Sequence, residues 1–189
     1  ALGSVPTFSA IVAYFVLGEK PQSSWYLGTS VTVLGIILVG TANGVDSFKP
    51  LGLLLAAIAG LGFAVFNVIS RRSLSQGAQD IWLTAISFGI AALFTSPFLF
   101  AQNPEWILTR DGGLSVLWLG LVPTAIGYFL FTFRLKRVDS STAATVVLAE
   151  PATATILAAV IIGESLVLQS FLGIAIVAAG ILYISKSKV

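Results

Sequence analysis

One carboxylate stands far inside an apolar run. Glu150 lies about eight residues into the stretch 142–163, in "TVVLAEPATATILAAVIIGE", where no other charge occurs before the end. An ionised carboxylate in hydrocarbon is costly unless it is paired, protonated or wetted, so Glu150 is expected in a cavity and not against lipid. There it could bind a cationic or amine-bearing molecule, or carry a proton. With no His in the chain it is the best proton-carrying candidate. The structural alternative is a protonated carboxyl bonded to a neighbouring helix. Thr153, three residues on, shares its helix face. Thr124 and Tyr128, four apart, share a face of the preceding apolar segment and are expected to line the same space. Asn67, in "FAVFNVIS", needs amide partners, either a bound molecule or another helix. Tyr14 is a weaker lining candidate.

No other chemistry offers itself. Cys and His are absent, which removes thiolate and imidazole ligands and nucleophiles. There is no metal-ligand spacing, no Ser/His/Asp set and no phosphate loop, so no catalytic residue, metal or cofactor is expected.

The elements that must position these groups are apolar throughout. Of 189 residues 57% are hydrophobic and 10% charged, and the mean hydropathy is +0.98. A soluble domain needs about a quarter charged residues, so this surface must face lipid. The net charge is only +2 and the basic residues are scattered, so nucleic acid is not an expected partner. Crossing about 30 Å of hydrocarbon takes about 20 residues of helix. Seven stretches approach or reach that length: 2–17, 25–42, 50–70, 81–101, 114–135, 142–163 and 167–185. They do not alternate as barrel strands would. The predicted class is all-α, a polytopic transmembrane bundle of about seven helices joined by short polar loops. Lys20, Arg71, Arg72, Arg134, Lys136, Arg137, Lys186 and Lys188 fall on one side, and only Lys49 and Arg110 on the other. The bias predicts a cytoplasmic C-terminus. Trp25, Trp106 and Tyr183 are expected in the interfacial belts.

The chain writes one passage twice. Residues 6–40 overlie 151–185 without a gap at an offset of 145, matching Pro6 with Pro151, Gly18 with Gly163, Glu19 with Glu164, Gly28 with Gly173 and Gly35 with Gly180. Five segments separate each helix from its copy, and five is odd, so the copies cross in opposite senses. That is an inverted repeat. It divides the chain into residues 1–45, the last two helices of one five-helix repeat, and 49–189, a complete second repeat. Three helices are then expected upstream. Matched prolines in corresponding helices point towards a binding site. Glu19 and Glu164, each after a helix-ending glycine, are read as structural. Gly28/Gly35, Gly173/Gly180 and the run Gly52, Ala56, Gly60, Ala64 are read as surfaces for close helix packing.

The tail "LVPTAIGYFLFTFRLKRVDSSTAATVVLAEPATATILAAVIIGE" followed by "QSFLGIAIVAAGILY" resembles the drug/metabolite transporter superfamily, specifically its EamA-type ten-helix exporters. The resemblance implies a 5+5 inverted-repeat secondary carrier of small metabolites, amino acids or drugs in the cytoplasmic membrane. The first four helices of each half would surround the cavity, with the fifth outside. Its expected partners are a small-molecule substrate, membrane lipid and the upstream helices of the same protein; pairing of two copies stays open. Two other functions fit less of the sequence. A membrane-embedded enzyme using Glu150 as acid or base lacks a second charged group at that depth. A non-transporting scaffold leaves Glu150 unexplained.

Overall fold

The computed structural model describes residues 2–42, 49–101, 104–163 and 165–187. Glu164 and Lys188 lie outside the described residues. The elements are α1 (Val5–Leu17), α2 (Ser23–Thr41), α3 (Pro50–Ser75), α4 (Asp80–Ala101), α5 (Arg110–Leu119), α6 (Tyr128–Leu135), α7 (Ser140–Val147), α8 (Ala149–Leu157) and α9 (Leu168–Lys186). A π-helical stretch, Gly120–Gly127, joins α5 to α6, and another, Ala158–Ile162, extends α8. Among the described residues, six spans are long and apolar enough to cross a membrane, and α1 is a shorter apolar helix. The seven expected segments are all present, with ends moved by a few residues.

Glycine ends the two matched helices in the same way. Gly18 closes α1 at φ 68° and Gly163 closes the extension of α8 at φ 80°. Both are left-handed, a conformation that a Cβ disfavours.

The chain forms two compact units, Ala1–Ile69 with Val138–Val189, and Ser70–Arg137. In the first unit α2 lies along α9, and their glycines make the contact. A Cβ on Gly35 would stand 2.8 Å from the carbonyl of Gly173 and 2.7 Å from the amide nitrogen of Val177. A Cβ on Gly180 would stand 2.8 Å from the carbonyl of Gly28. Only glycine lets two backbones approach this closely. Gly28 meets Gly180 while Gly35 meets Gly173, so the helices are antiparallel. Each glycine touches the counterpart of the other. Gln169 fastens one end of the pair, donating its amide to the Leu38 carbonyl (3.1 Å) and the Thr41 hydroxyl (2.9 Å).

Helix α1 packs on α7 and against α3, where Val5 and Phe8 cover Gly60. The expected ridge on α3 is therefore only half used: Gly60 and Ala64 are buried, whereas Gly52 and Ala56 are exposed. Trp25 also departs from expectation. It is 5% exposed, and its indole N–H donates to the Thr145 hydroxyl at 3.1 Å. Thr29 shares that hydroxyl at 3.0 Å, and Thr145 in turn reaches the Ser141 carbonyl. A buried indole N–H needs a partner, and the hydroxyl-rich start of α7 supplies one. Trp106 and Tyr183 are exposed, as interface aromatics would be.

In the second unit α4 and α6 meet through three contacts spaced one turn apart. Lys136 pairs with Asp80 at 3.1 Å, Thr132 with Thr84 at 3.1 Å, and Tyr128 with Phe88 edge to face at 4.6 Å. The rising numbers on α4 meet falling numbers on α6, so this pair is antiparallel too.

Candidate functional site

Prolines interrupt two of the spans, one in each unit, and four of the six expected site residues lie at these interruptions. Pro151 lacks the N–H that would reach the Val147 carbonyl. The helix breaks there: α7 ends at Val147, Leu148 forms a turn, and α8 begins at Ala149. Glu150 thus occupies the first turn of α8, the position where the helix dipole favours a negative charge. Its side chain is exposed, and its carboxylate makes no hydrogen bond or ion pair among the described residues. Thr153 is exposed on the same stretch and returns its hydroxyl to the Ala149 carbonyl at 2.8 Å. Ala152, between them, is buried. The carboxylate and Thr153 therefore face away from the packed side of α8.

Pro123 acts similarly in the second unit. It cannot donate to the Leu119 carbonyl, and the backbone widens into the π-helical stretch Gly120–Gly127. The Thr124 hydroxyl takes the vacated place, donating to Leu119 O at 2.8 Å. Tyr128 follows at the end of the stretch, with its N–H reaching the Thr124 and Ala125 carbonyls and its half-buried ring against Phe88. Thr124 and Tyr128 do remain stacked, but the Thr124 hydroxyl is already engaged in repairing the helix.

Two further candidates stand apart from Glu150. Asn67 is fully buried, and its amide donates to the Ser140 carbonyl at 3.0 Å, at the start of α7, ten residues before Glu150. This is the interhelical bond that sequence left open beside a bound molecule. Tyr14 is half exposed and lines an open cleft of about 590 Å³ between α1 and α2, with Ile11, Phe15, Trp25, Tyr26 and Thr29. Neither Glu150 nor Thr153 lines that cleft.

Among the structural residues, Pro6 sits in the first turn of α1, where a missing N–H costs nothing, and Pro151 sits at the break before α8. Glu19 has a partner that sequence did not foresee: its carboxylate accepts the Ser140 N–H at 3.2 Å. Thr145 was also missed as the hub of a buried hydroxyl cluster. The run "SSTAATVV" was the available signal, since such a density of hydroxyls in an apolar helix needs acceptors nearby. No group of three or more His, Cys, Asp or Glu that could hold a metal occurs among the described residues.

Membrane-length helices throughout, with proline breaks and a carboxylate at one of them, define a multi-pass helical membrane protein. The chain belongs to the EamA-like transporter family, which matches residues 50–186. It is 35% identical over 187 residues to Uncharacterized transporter YwfM of Bacillus subtilis (strain 168), covering 99% of this chain and 63% of that one. An "Uncharacterized transporter" of Clostridium kluyveri is 28% identical over 189 residues, covering 96% of this chain and 61% of that one. A protein of Escherichia coli (strain K12) named "Probable amino-acid metabolite efflux pump" is 23% identical over 189 residues, covering 94% and 62%. The chain thus spans less than two thirds of the length of these relatives. The family and these relatives are transporters, not enzymes.

Proposed function

We propose that this chain is part of a secondary transporter that exports small metabolites, amino acids or drugs across the cytoplasmic membrane by alternating access. Residues 1–45 close one five-helix repeat and 49–189 form the other, inverted with respect to it. The carrying observation is Glu150 at the proline break of its span. Discontinuous helices mark binding sites in inverted-repeat carriers, and a carboxylate at membrane depth is a functional group by default. The reciprocal glycine contacts of α2 and α9 support the inversion, because each contact maps onto another of the set when the copies are exchanged. Thr153 accompanies Glu150 in this reading, Tyr14 lines a cleft of its own, Thr124 and Tyr128 are the candidates of the second unit, and Asn67 holds helices together within the first. The name of the Escherichia coli relative supports amino-acid metabolites as the first substrates to try. The loop charges support a cytoplasmic C-terminus.

The test is counterflow by the whole protein in lipid vesicles. A labelled amino acid or cationic drug should exchange with unlabelled substrate, and Glu150→Gln should lower the rate by at least about tenfold while insertion is unchanged, the loss expected for one charge-assisted contact. Failure with every substrate class removes the carrier reading. Unchanged counterflow and unchanged pH dependence in Glu150→Gln remove Glu150 from it.

A further inference from the structure

Ser140, the first residue of α7, is fully buried, and both of its backbone polar groups are held by side chains from other parts of the first unit. Its N–H donates to the Glu19 carboxylate at 3.2 Å, and its carbonyl accepts the Asn67 amide at 3.0 Å. The first N–H groups of a helix have no partner inside it. The usual remedy is a capping side chain at the preceding residue. Here Asp139 occupies that position in an extended conformation and makes no capping hydrogen bond. The cap comes instead from Glu19, 121 residues away in sequence and just beyond the end of α1. A carboxylate at a helix N-terminus also meets the positive end of the dipole.

The backbone delivers Glu19 to this place. Gly18 turns left-handed, its N–H returns to the Tyr14 carbonyl, and the Glu19 N–H returns to the Ala13 carbonyl. The turn ends α1 and throws the next side chain across to α7. Because the end of α1 meets the start of α7, and the two helices pack together, they run antiparallel. Small residues are buried on both helices, Ser9 and Ala13 on α1 and Ser141 and Ala144 on α7, while the Thr145 hydroxyl is turned to Trp25 and Thr29 of α2. Such a surface can separate without stranding large apolar side chains. By the repeat, α1 belongs to one half and α7 to the other.

We propose that the contact of Glu19 and Asn67 with Ser140 is a latch that holds α1 of one repeat to α7 of the other at one end of the transport path, and that it must release for that end to open. The latch rests on the transporter reading for its purpose but not for its geometry. By the loop charges, with Lys20 next to Glu19, the latched end is the cytoplasmic one.

The chain has no Cys, so single thiols can report on it. Ser140→Cys is a nearly isosteric reporter, because the Ser140 hydroxyl is buried and makes no hydrogen bond. Ser170→Cys, buried on α9, is the control. Both variants, in lipid vesicles without substrate, are treated with membrane-permeant N-ethylmaleimide. Adding Glu19→Ala should raise the alkylation rate at position 140 by about tenfold or more and leave position 170 unchanged, as loss of one hydrogen bond to a charged group implies. Glu19→Gln, whose amide oxygen still accepts, should raise it less. An unchanged rate at 140 overturns the latch. A parallel rise at 170 also overturns it, because Glu19 would then stabilise the whole unit. The readout needs no transported substrate, so a failed latch and a failed carrier assignment are told apart.

Discussion

Two helix interfaces in the first unit are built on opposite principles. Between α2 and α9, four glycines bring backbone against backbone, and at Gly35, Gly173 and Gly180 no side chain could be added without moving main-chain atoms. Between α7 and its neighbours α1 and α2, the contact runs through Trp25, Thr29, Thr145, Ser140 and Glu19, joined by discrete hydrogen bonds. The first interface has one arrangement, because backbone cannot give way. The second is a set of bonds that can be exchanged for others, each worth about 1 kcal/mol in a membrane setting. The contrast is the one the proposed latch requires: α2 with α9 as the fixed joint, and the hydrogen-bonded face of α7 as the place for motion.

The sharpest way to break the comparison is at the fixed joint. Gly35→Leu would drive a side chain into the Gly173 carbonyl and the Val177 amide. Overpacking against backbone predicts a loss of about 3 kcal/mol, read as a fall of roughly 6–12 °C in the thermal midpoint of the purified protein. Gly40→Ala on the same helix meets nothing within 4 Å and should stay within about 0.5 kcal/mol. Equal effects at the two positions would end the fixed-joint description. Thr145→Val tests the other interface. It strips partners from the Trp25 indole and the Thr29 hydroxyl together, which predicts a loss of about 1–2 kcal/mol by the same thermal measurement. A Thr145→Val loss matching that of Gly35→Leu would erase the difference between the interfaces. The smallest effect belongs to Gln169→Leu, which removes a part-buried amide from the Leu38 carbonyl and Thr41. A cost of about 0.5–1 kcal/mol is expected, leaving the glycine crossing intact.

The helices themselves were legible in the sequence because lipid imposes a single length and a single composition on each span. The glycine pairs were legible as close-packing surfaces, since no other residue permits that approach. Their mutual pairing was not read, because periodicity shows a face and not what covers it. Pro151 was readable as an interruption and Pro123 was passed over, and the form each took was not read, a one-residue turn at Leu148 and a π-helical stretch at Gly120–Gly127. That form depends on which group repairs the lost bond, and Thr124 does so for Leu119. The burial of Trp25 was not read, because its position near a helix start fits a belt and its partner Thr145 lies 120 residues away. The capping role of Glu19 was hidden for the same reason. Gly18-Glu19 looks like an ordinary helix end until α7 is brought to it.

The account as a whole rests on Glu150 facing water inside the membrane. Charged, membrane-impermeant thiol reagents read this directly in the protein reconstituted in vesicles, with any cysteine outside this chain replaced by serine. Glu150→Cys should react with a charged methanethiosulfonate, whereas Val160→Cys, exposed on the same span and expected against lipid, should not. A Glu150→Cys variant as inert as Val160→Cys would put that position in hydrocarbon and contradict the account.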